Sequence, residues 1–458
     1  MASVNIVDVF NGLTVPKETY IPQENGRFEN QLKRGIVEKG TLCLITGSSK
    51  TGKTSLYGKV LKAIGKEPLR VRCSDSLKAD EFWAYPLENL DFSRLKAVED
   101  GSTLTVSGSA TLSGAIGWEW LAKLTGSMSV SASKASTDKE IKENILSKPS
   151  PSHLIPLLKN SNAVLVVEDF HYLTTAVQRE IFQQWKIFTD NEVSVLVVGT
   201  THHGVDLATA NPDLIGRISH IDIGRWSDDD LQRIAKKGLN KLNVLKADTI
   251  SRILAKESAG LPILVQQACA QMFYDRGIDE HDTAHAITFS DHAVQTALHN
   301  VAKDRYNHFE AWYNKLVFGP RKRARRYDTY EIILALFTQD PPTFSLPRHE
   351  IDHRLKSAPI PQDKKPPAAS IKSTLAALDN FQKTHNFELL EWSKSDNTVY
   401  IVVPSFLFYL RWREPKPSNT AMTLMDMIMK AWMEHKAKIG LTESVHSVKL
   451  KRTVKDVP

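Results

Sequence analysis

Gly47-Ser48-Ser49-Lys50-Thr51-Gly52-Lys53-Thr54 follows the apolar run Leu42-Cys43-Leu44-Ile45-Thr46 and precedes the helical stretch Ser55 to Ile64. The octapeptide is a G-x-x-x-x-G-K-[ST] phosphate-binding loop, and a position between a strand and a helix is what its chemistry requires. Gly47 and Gly52 let the backbone through Ser48, Ser49, Lys50 and Thr51 wrap its N–H groups around a β-phosphate. Lys53 reaches the β and γ oxygens. Thr54 is placed to hold Mg²⁺ at the helix N-terminus, and Ser55 completes the binding set. The expected ligands are ATP and Mg²⁺.

A phosphate loop needs a second, carboxylate-bearing strand, and Ala163-Val164-Leu165-Val166-Val167-Glu168-Asp169 supplies it. One acid at the strand's C-terminal edge positions the metal and its waters, and the other polarises the attacking water for displacement of the γ-phosphate. By position Glu168 takes the metal side and Asp169 the base. The usual order is Asp then Glu; the reversal shortens the base by one methylene and leaves the hydrolysis rate open.

Further β runs at Leu69 to Cys73, Ser194 to Gly199 and Ser219 to Ile223 alternate with helical segments. That alternation predicts an α/β fold with a parallel sheet covered on both faces. Thr200, Thr201 and His202 leave the fourth run as a polar cluster. Thr201 either senses the γ-phosphate or simply caps the strand. Asn211 to Arg217 then reads as a helix ending in a basic residue, and Arg217 is the candidate arginine finger for a neighbouring subunit's ATP.

Length and composition fit this reading. At 458 residues the chain exceeds one ordinary core, so roughly two to three domains are expected. No apolar stretch approaches the ~18 residues of a membrane span, and Met-Ala-Ser-Val-Asn lacks a signal-peptide pattern. Cys43, Cys73 and Cys269 lack metal spacing, so reduced thiols in a cytoplasmic protein are expected. A net charge of +7 permits nucleic-acid contact without requiring it.

After Ile223 the pattern turns helical: Ser227 caps Asp228 to Leu242, then come Asp248 to Glu257, Pro262 to Tyr274 and Asp291 to Leu316. Tyr330 to Thr338, Pro347 to Ser357 and Ala368 to Gln382 are three more helical patterns, and Ile371, Leu375, Leu378 and Phe381 fall on one face of the third. Two β runs, Phe387 to Trp392 and Thr398 to Val403, follow, and together these make a winged helix. Its third helix offers Lys372 and Lys383 but no arginine for guanine edges, which favours a regulatory packing role over sequence reading. The run Arg321, Lys322, Arg323, Ala324, Arg325, Arg326 either tracks a DNA backbone or is a solvated linker. Residues 101–137, poor in charge, read as an insertion that is either a contact arm or low-complexity chain. Met422, Met425, Met429 and Trp432 recur at helical spacing, fitting a partner groove or a helix folded back on the winged domain.

This order of elements resembles the AAA+ ATPases, in particular the origin-recognition (Cdc6)-like and STAND branches. The resemblance begins at Tyr20-Ile-Pro-Gln-Glu-Asn-Gly-Arg27, similar to the segment of bacterial members that touches the nucleotide base. It continues through both nucleotide motifs, the polar strand end and Arg217. Gly260-Leu261-Pro262-Ile263-Leu264 resembles the GLPL motif of STAND proteins, which implies that Pro262 borders the nucleotide. Origin-recognition relatives carry a sensor arginine at this turn; Ile263 stands there instead, which favours a nucleotide switch over a fast motor. The resemblance implies a P-loop NTPase domain over 1–224, a helical lid over 225–318, a winged helix over 319–415 and a helical tail over 416–458. It also implies a homo-oligomer whose slow ATP hydrolysis regulates a separate protein partner or effector, for example in phage defence. The alternative is a DNA-handling ATPase of replication initiation or transposition targeting, with duplex held by Arg321, Lys322, Arg323, Arg325 and Arg326.

Overall fold

The structure, a computed structural model, describes residues 3–89, 150–160, 162–199, 214, 216–318 and 327–414. The chain divides into two compact units, Tyr20–Arg225 and Met1–Thr19 with Trp226–Pro458. The strands are numbered along the chain from β1 (Ser3–Asn5), which belongs to the second unit.

In the unit Tyr20–Arg225, β2 (Leu42–Thr46), β3 (Glu67–Arg72), β4 (Ala163–Glu168), β5 (Val195–Val198) and β6 (Ile218–Asp222) form one parallel sheet in the order β3-β4-β5-β2-β6. The three inner strands are buried along their whole length, which is why they read as unbroken apolar runs. Alternate residues divide between two apolar layers. Leu42, Leu44, Leu165, Val167, Val195 and Val197 pack with Trp83, Trp185 and Phe188, from the helices Ala79–Asn89 and Thr175–Asp190. Cys43, Ile45, Val164, Val166, Leu196 and Val198 pack with Leu32, Leu56, Tyr57 and Val60, from the helices Arg27–Val37 and Lys53–Ala63. Edge strand β3 keeps only Leu69 and Val71 inward and turns Arg70 and Arg72 out.

The second unit joins the chain's first residues to its C-terminal part. Residues 1–19 group here and not with the sheet, in contrast to the single 1–224 domain expected from the sequence. β1 pairs antiparallel with β7 (Glu280–Asp282), Glu18 meets Lys241 at 2.6 Å, and buried Gln266 donates to Thr19 Oγ1 at 2.6 Å. Helices Asp228–Lys241, Ala247–Glu257 and Pro262–Tyr274 follow, the first capped by Ser227, whose hydroxyl accepts from Asp230 N. The single helix expected over Asp291 to Leu316 is broken at Tyr306 and Asn307 into Asp291–Arg305 and His308–Phe318.

The winged helix is built from Thr329–Thr338, Arg348–Ser357 and Ala368–Thr384 against an antiparallel sheet. That sheet has the order β8 (Ser345–Pro347), β10 (Thr398–Ile401), β9 (Leu390–Ser393). A closing helix, Pro404–Trp412, is buried throughout. The fold class is the expected one: α/β, a P-loop NTPase sheet with a helical lid segment and a C-terminal winged helix. Among the described residues no helix is long and apolar enough to cross a membrane. The insertion at 101–137 and the Met-rich tail lie outside the described residues.

Candidate nucleotide site

β2 delivers the chain to the phosphate loop at a fixed height. Its last residue, Thr46, pairs with Asp222 of β6, and its hydroxyl donates to Asp222 Oδ1 at 3.2 Å. Gly47 then turns at φ +147° with its α-carbon pressed on β6's exit; a Cβ there would stand 2.4 Å from Ile223 O. Only glycine fits. Thr51, fully buried, closes the loop by donating from Oγ1 to Ser48 O at 2.9 Å. Gly52, at φ +99°, is the N-cap of the helix Lys53–Ala63. The first N–H groups of that helix, at Lys53, Thr54 and Ser55, have no intrahelical acceptor by construction, and the helix dipole adds partial positive charge.

Lys53 curls into the loop. Its Nζ donates to Gly47 O at 2.7 Å and to Ser48 O at 2.8 Å. Burial pushes its pKa down to about 8, against the opposing charge of Asp169. Lys53 and Asp169 therefore sense each other electrostatically, although β5 separates their strands, an offset of about 10 Å between β2 and β4 at the usual strand spacing.

The two acids sit in different surroundings. Glu168 ends β4 and is 8% exposed; it accepts from Tyr57 OH at 2.6 Å through Oε1 and meets Arg72 Nη2 at 3.5 Å through Oε2. Tyr57 comes from the phosphate-loop helix, and Arg72 is the residue paired with Glu168 in the neighbouring strand. Burial, then the contact with Glu168, pushes the Tyr57 hydroxyl up, so it remains a donor. Asp169 adopts φ +60°, its side chain is 44% exposed, and its Oδ2 lies 3.9 Å from Arg72 Nε. The accessible acid is thus Asp169. His171, two residues on, is half-buried, and burial lowers its pKa.

The donors suit a hard cation. Thr54 is exposed at the helix start and Glu168 and Asp169 offer carboxylate oxygens, matching the way Mg²⁺ is held by one or two protein oxygens plus substrate phosphates. Both Glu168 oxygens are engaged by Tyr57 and Arg72, so a direct metal contact would exchange one of those bonds. Among the described residues there is no cluster of three or more His, Cys, Asp or Glu side chains that could hold a metal by itself.

The structure brings together Gly47 to Ser55, Glu168 and Asp169. Arg217 is elsewhere: its carbonyl accepts from Leu42 N at 2.8 Å, at the start of β2 and the far end of the sheet from the loop. Its side chain bonds Asp190 Oδ1 at 2.8 Å and Thr189 Oγ1 at 3.2 Å. Pro262 opens its helix in the second unit, just after Gly260 O accepts from Trp226 N. Thr201 and the run Arg321, Lys322, Arg323, Arg325, Arg326 lie outside the described residues. Sequence reading missed Tyr57, Arg72 and His171. Tyr57 was findable as one helical turn after Lys53, and Arg72 as the last outward residue of its strand.

Neither a protein-family model nor a curated protein sequence matches the chain. Solved structures do. A Walker-type ATPase of Pyrococcus abyssi aligns over 84% of this chain and 95% of its own, at 13% identity and a TM-score of 0.43. The Aeropyrum pernix Orc1 protein, solved in complex with DNA, covers 89% of this chain and 95% of its own at 11% identity, TM-score 0.39. Cdc6p from Pyrobaculum aerophilum covers 89% and 99% at 10% identity, TM-score 0.41.

Proposed function

We propose that this chain is an AAA+/STAND-like ATPase that binds ATP and hydrolyses it slowly as a conformational or oligomerisation switch acting on a separate protein partner. One observation carries the reading: a glycine-bounded loop with Lys53 at its centre shares the sheet's C-terminal edge with the pair Glu168 and Asp169. In this reading the N–H groups of the loop and of the first helical turn bind the phosphates, and Lys53 leaves its own carbonyls for the β and γ oxygens. Thr54 and Glu168 would hold Mg²⁺, which when bound would supply neutralisation of the phosphate charge. Asp169, the accessible acid, orients the attacking water and takes its proton. The segment beginning at Tyr20, in the same unit as the loop, completes the nucleotide surroundings.

Arg217 serves a neighbour. Residues Leu42 and Thr46 pair with Ile218 and Asp222, so Arg217 stands at least ~13 Å along the strand from its own loop. Its bond to Asp190, with both side chains 46% exposed, is the kind of surface pair that a docking subunit displaces at little cost. The rival use of the same site, ATP-driven assembly on DNA, draws only on the basic run at Arg321 to Arg326.

The test is turnover per subunit against protein concentration. It should rise as subunits associate, and Arg217→Ala should flatten the curve, because a finger supplied in trans is worth about 10³–10⁵ in rate. Full, concentration-independent turnover by Arg217→Ala would overturn the oligomeric part of the proposal.

A further inference from the structure

Gln178 is the fourth residue of the helix Thr175–Asp190, and it is 6% exposed. Its backbone N–H is spent on the helix, donating to Thr174 O at 2.9 Å. Its carboxamide Nε2 is spent on something else: it donates to Leu173 O at 2.9 Å and Phe170 O at 3.2 Å, with His171 O sharing at 3.4 Å. All three carbonyls belong to the short turn that follows the acids.

That turn is expensive to hold. Asp169 enters it in the left-handed region, at φ +60°, which a residue with a β-carbon adopts only against strain. Tyr172 N bonds back to Asp169 O at 2.9 Å and Leu173 N to Phe170 O at 3.3 Å, so two of the turn's donors are met within it. Gln178 adds a second bond to Phe170 O, which already accepts from Leu173 N, and reaches the carbonyls of His171 and Leu173. The helix start does not need Gln178 for capping, because Thr174 Oγ1 accepts from Val177 N. The turn presents Asp169 and His171.

We propose that Gln178 is a positioning residue for hydrolysis: it pins the turn that aims Asp169 at the edge of the phosphate loop, and it touches neither phosphate nor metal. This rests on the ATPase reading above. The consequence is a split between steps. Nucleotide affinity, set by Lys53 and the loop amides, is independent of Gln178; the chemical step is not.

The experiment uses the full chain. ATP affinity is measured by calorimetry and the hydrolysis of bound ATP by single-turnover rates, for wild type, Gln178→Met, Gln178→Glu and Thr174→Ala. Met keeps the length and removes the donor. Glu keeps volume and polarity, and serves if the Met variant does not fold. Thr174→Ala weakens the same helix start without touching the three carbonyls. Either Gln178 variant should hydrolyse about ten- to hundredfold more slowly, as a misplacement of roughly an ångström does, with affinity within about twofold and Thr174→Ala at the wild-type rate. Equal slowing by Thr174→Ala, parallel losses of affinity and rate, wild-type rates, or failure of both Gln178 variants to fold would overturn the positioning role and leave the ATPase reading intact. Wild-type protein that binds ATP and never hydrolyses it would overturn the ATPase reading, and this proposal with it.

Discussion

Arg411 grips Glu257 with two nitrogens, Nη2 at 2.8 Å and Nε shorter still, and both side chains are nearly closed to solvent, at 6% and 11% exposed. Arg72 reaches Glu168 with one nitrogen at 3.5 Å, and its own side chain is 77% exposed. The first pair joins the lid helix Ala247–Glu257 to the last helix of the winged domain, Pro404–Trp412. It is reinforced by Asp340, by Thr338 O and by Trp412 Nε1, which donates to Glu257 at 3.1 Å. The second pair lies at the C-terminal edge of the sheet, where Arg72 pairs with Glu168. A buried, two-point, fully satisfied pair cannot open without leaving a charge stranded, whereas an exposed, long, single contact opens at almost no cost. The same two residue types thus make a fixed joint in one unit and a releasable contact in the other.

The comparison breaks first at the joint. Arg411→Ala leaves Glu257 buried and unpaired and should cost about 3–5 kcal/mol of stability, read from the shift of the denaturant midpoint. Arg411→Met with Glu257→Leu should recover much of that loss. A loss under ~1 kcal/mol for the single variant would show that the joint is as loose as the Arg72 contact.

Lys53 gives an intermediate effect. Burial holds it at about 8 without nucleotide, and an anionic phosphate restores the charged form, so its pKa rises on binding. A group whose pKa rises on binding takes up protons, and affinity then falls as pH rises through the lower value. ATP affinity should drop about tenfold from pH ~7 to ~9, with nearly one proton taken up per site at the upper end, measured by calorimetry in buffers of different ionisation enthalpy. Lys53→Arg, which stays charged, should abolish that dependence if it still binds.

The smallest effect belongs to Arg72. Arg72→Ala should change stability by less than ~1 kcal/mol, because the pair is exposed on the arginine side. A destabilisation comparable with that of Arg411→Ala would erase the distinction between the two pairs.

Much of this architecture was legible because periodicity speaks for buried elements. The unbroken runs of β2 and β4 announced a sheet covered on both faces, and Ile371, Leu375, Leu378 and Phe381 announced the third helix of the winged domain, where all four are buried. Short or non-local pieces were silent. Three-residue strands such as β1 and β8 carry no pattern, and the partner of β1 lies at Glu280–Asp282, so the attachment of the first nineteen residues to the second unit could not be read. The phosphate loop was legible because its chemistry fixes residue types at fixed spacing. The surroundings of Glu168 were not, since Tyr57 and Arg72 meet it through the sheet's register and the helix packed over it. Gln178 left no trace at all: a buried amide that serves three carbonyls looks in sequence like any glutamine on a helix.

ATP binding and turnover by wild type, Lys53→Ala and Asp169→Asn, measured side by side in calorimetry and a phosphate-release assay, test the central claim most directly. Lys53→Ala should lose roughly ten- to hundredfold in affinity as a charged contact disappears, while Asp169→Asn should bind ATP as wild type does and turn it over about 10²- to 10⁴-fold more slowly. Undiminished ATP affinity in Lys53→Ala would contradict the account.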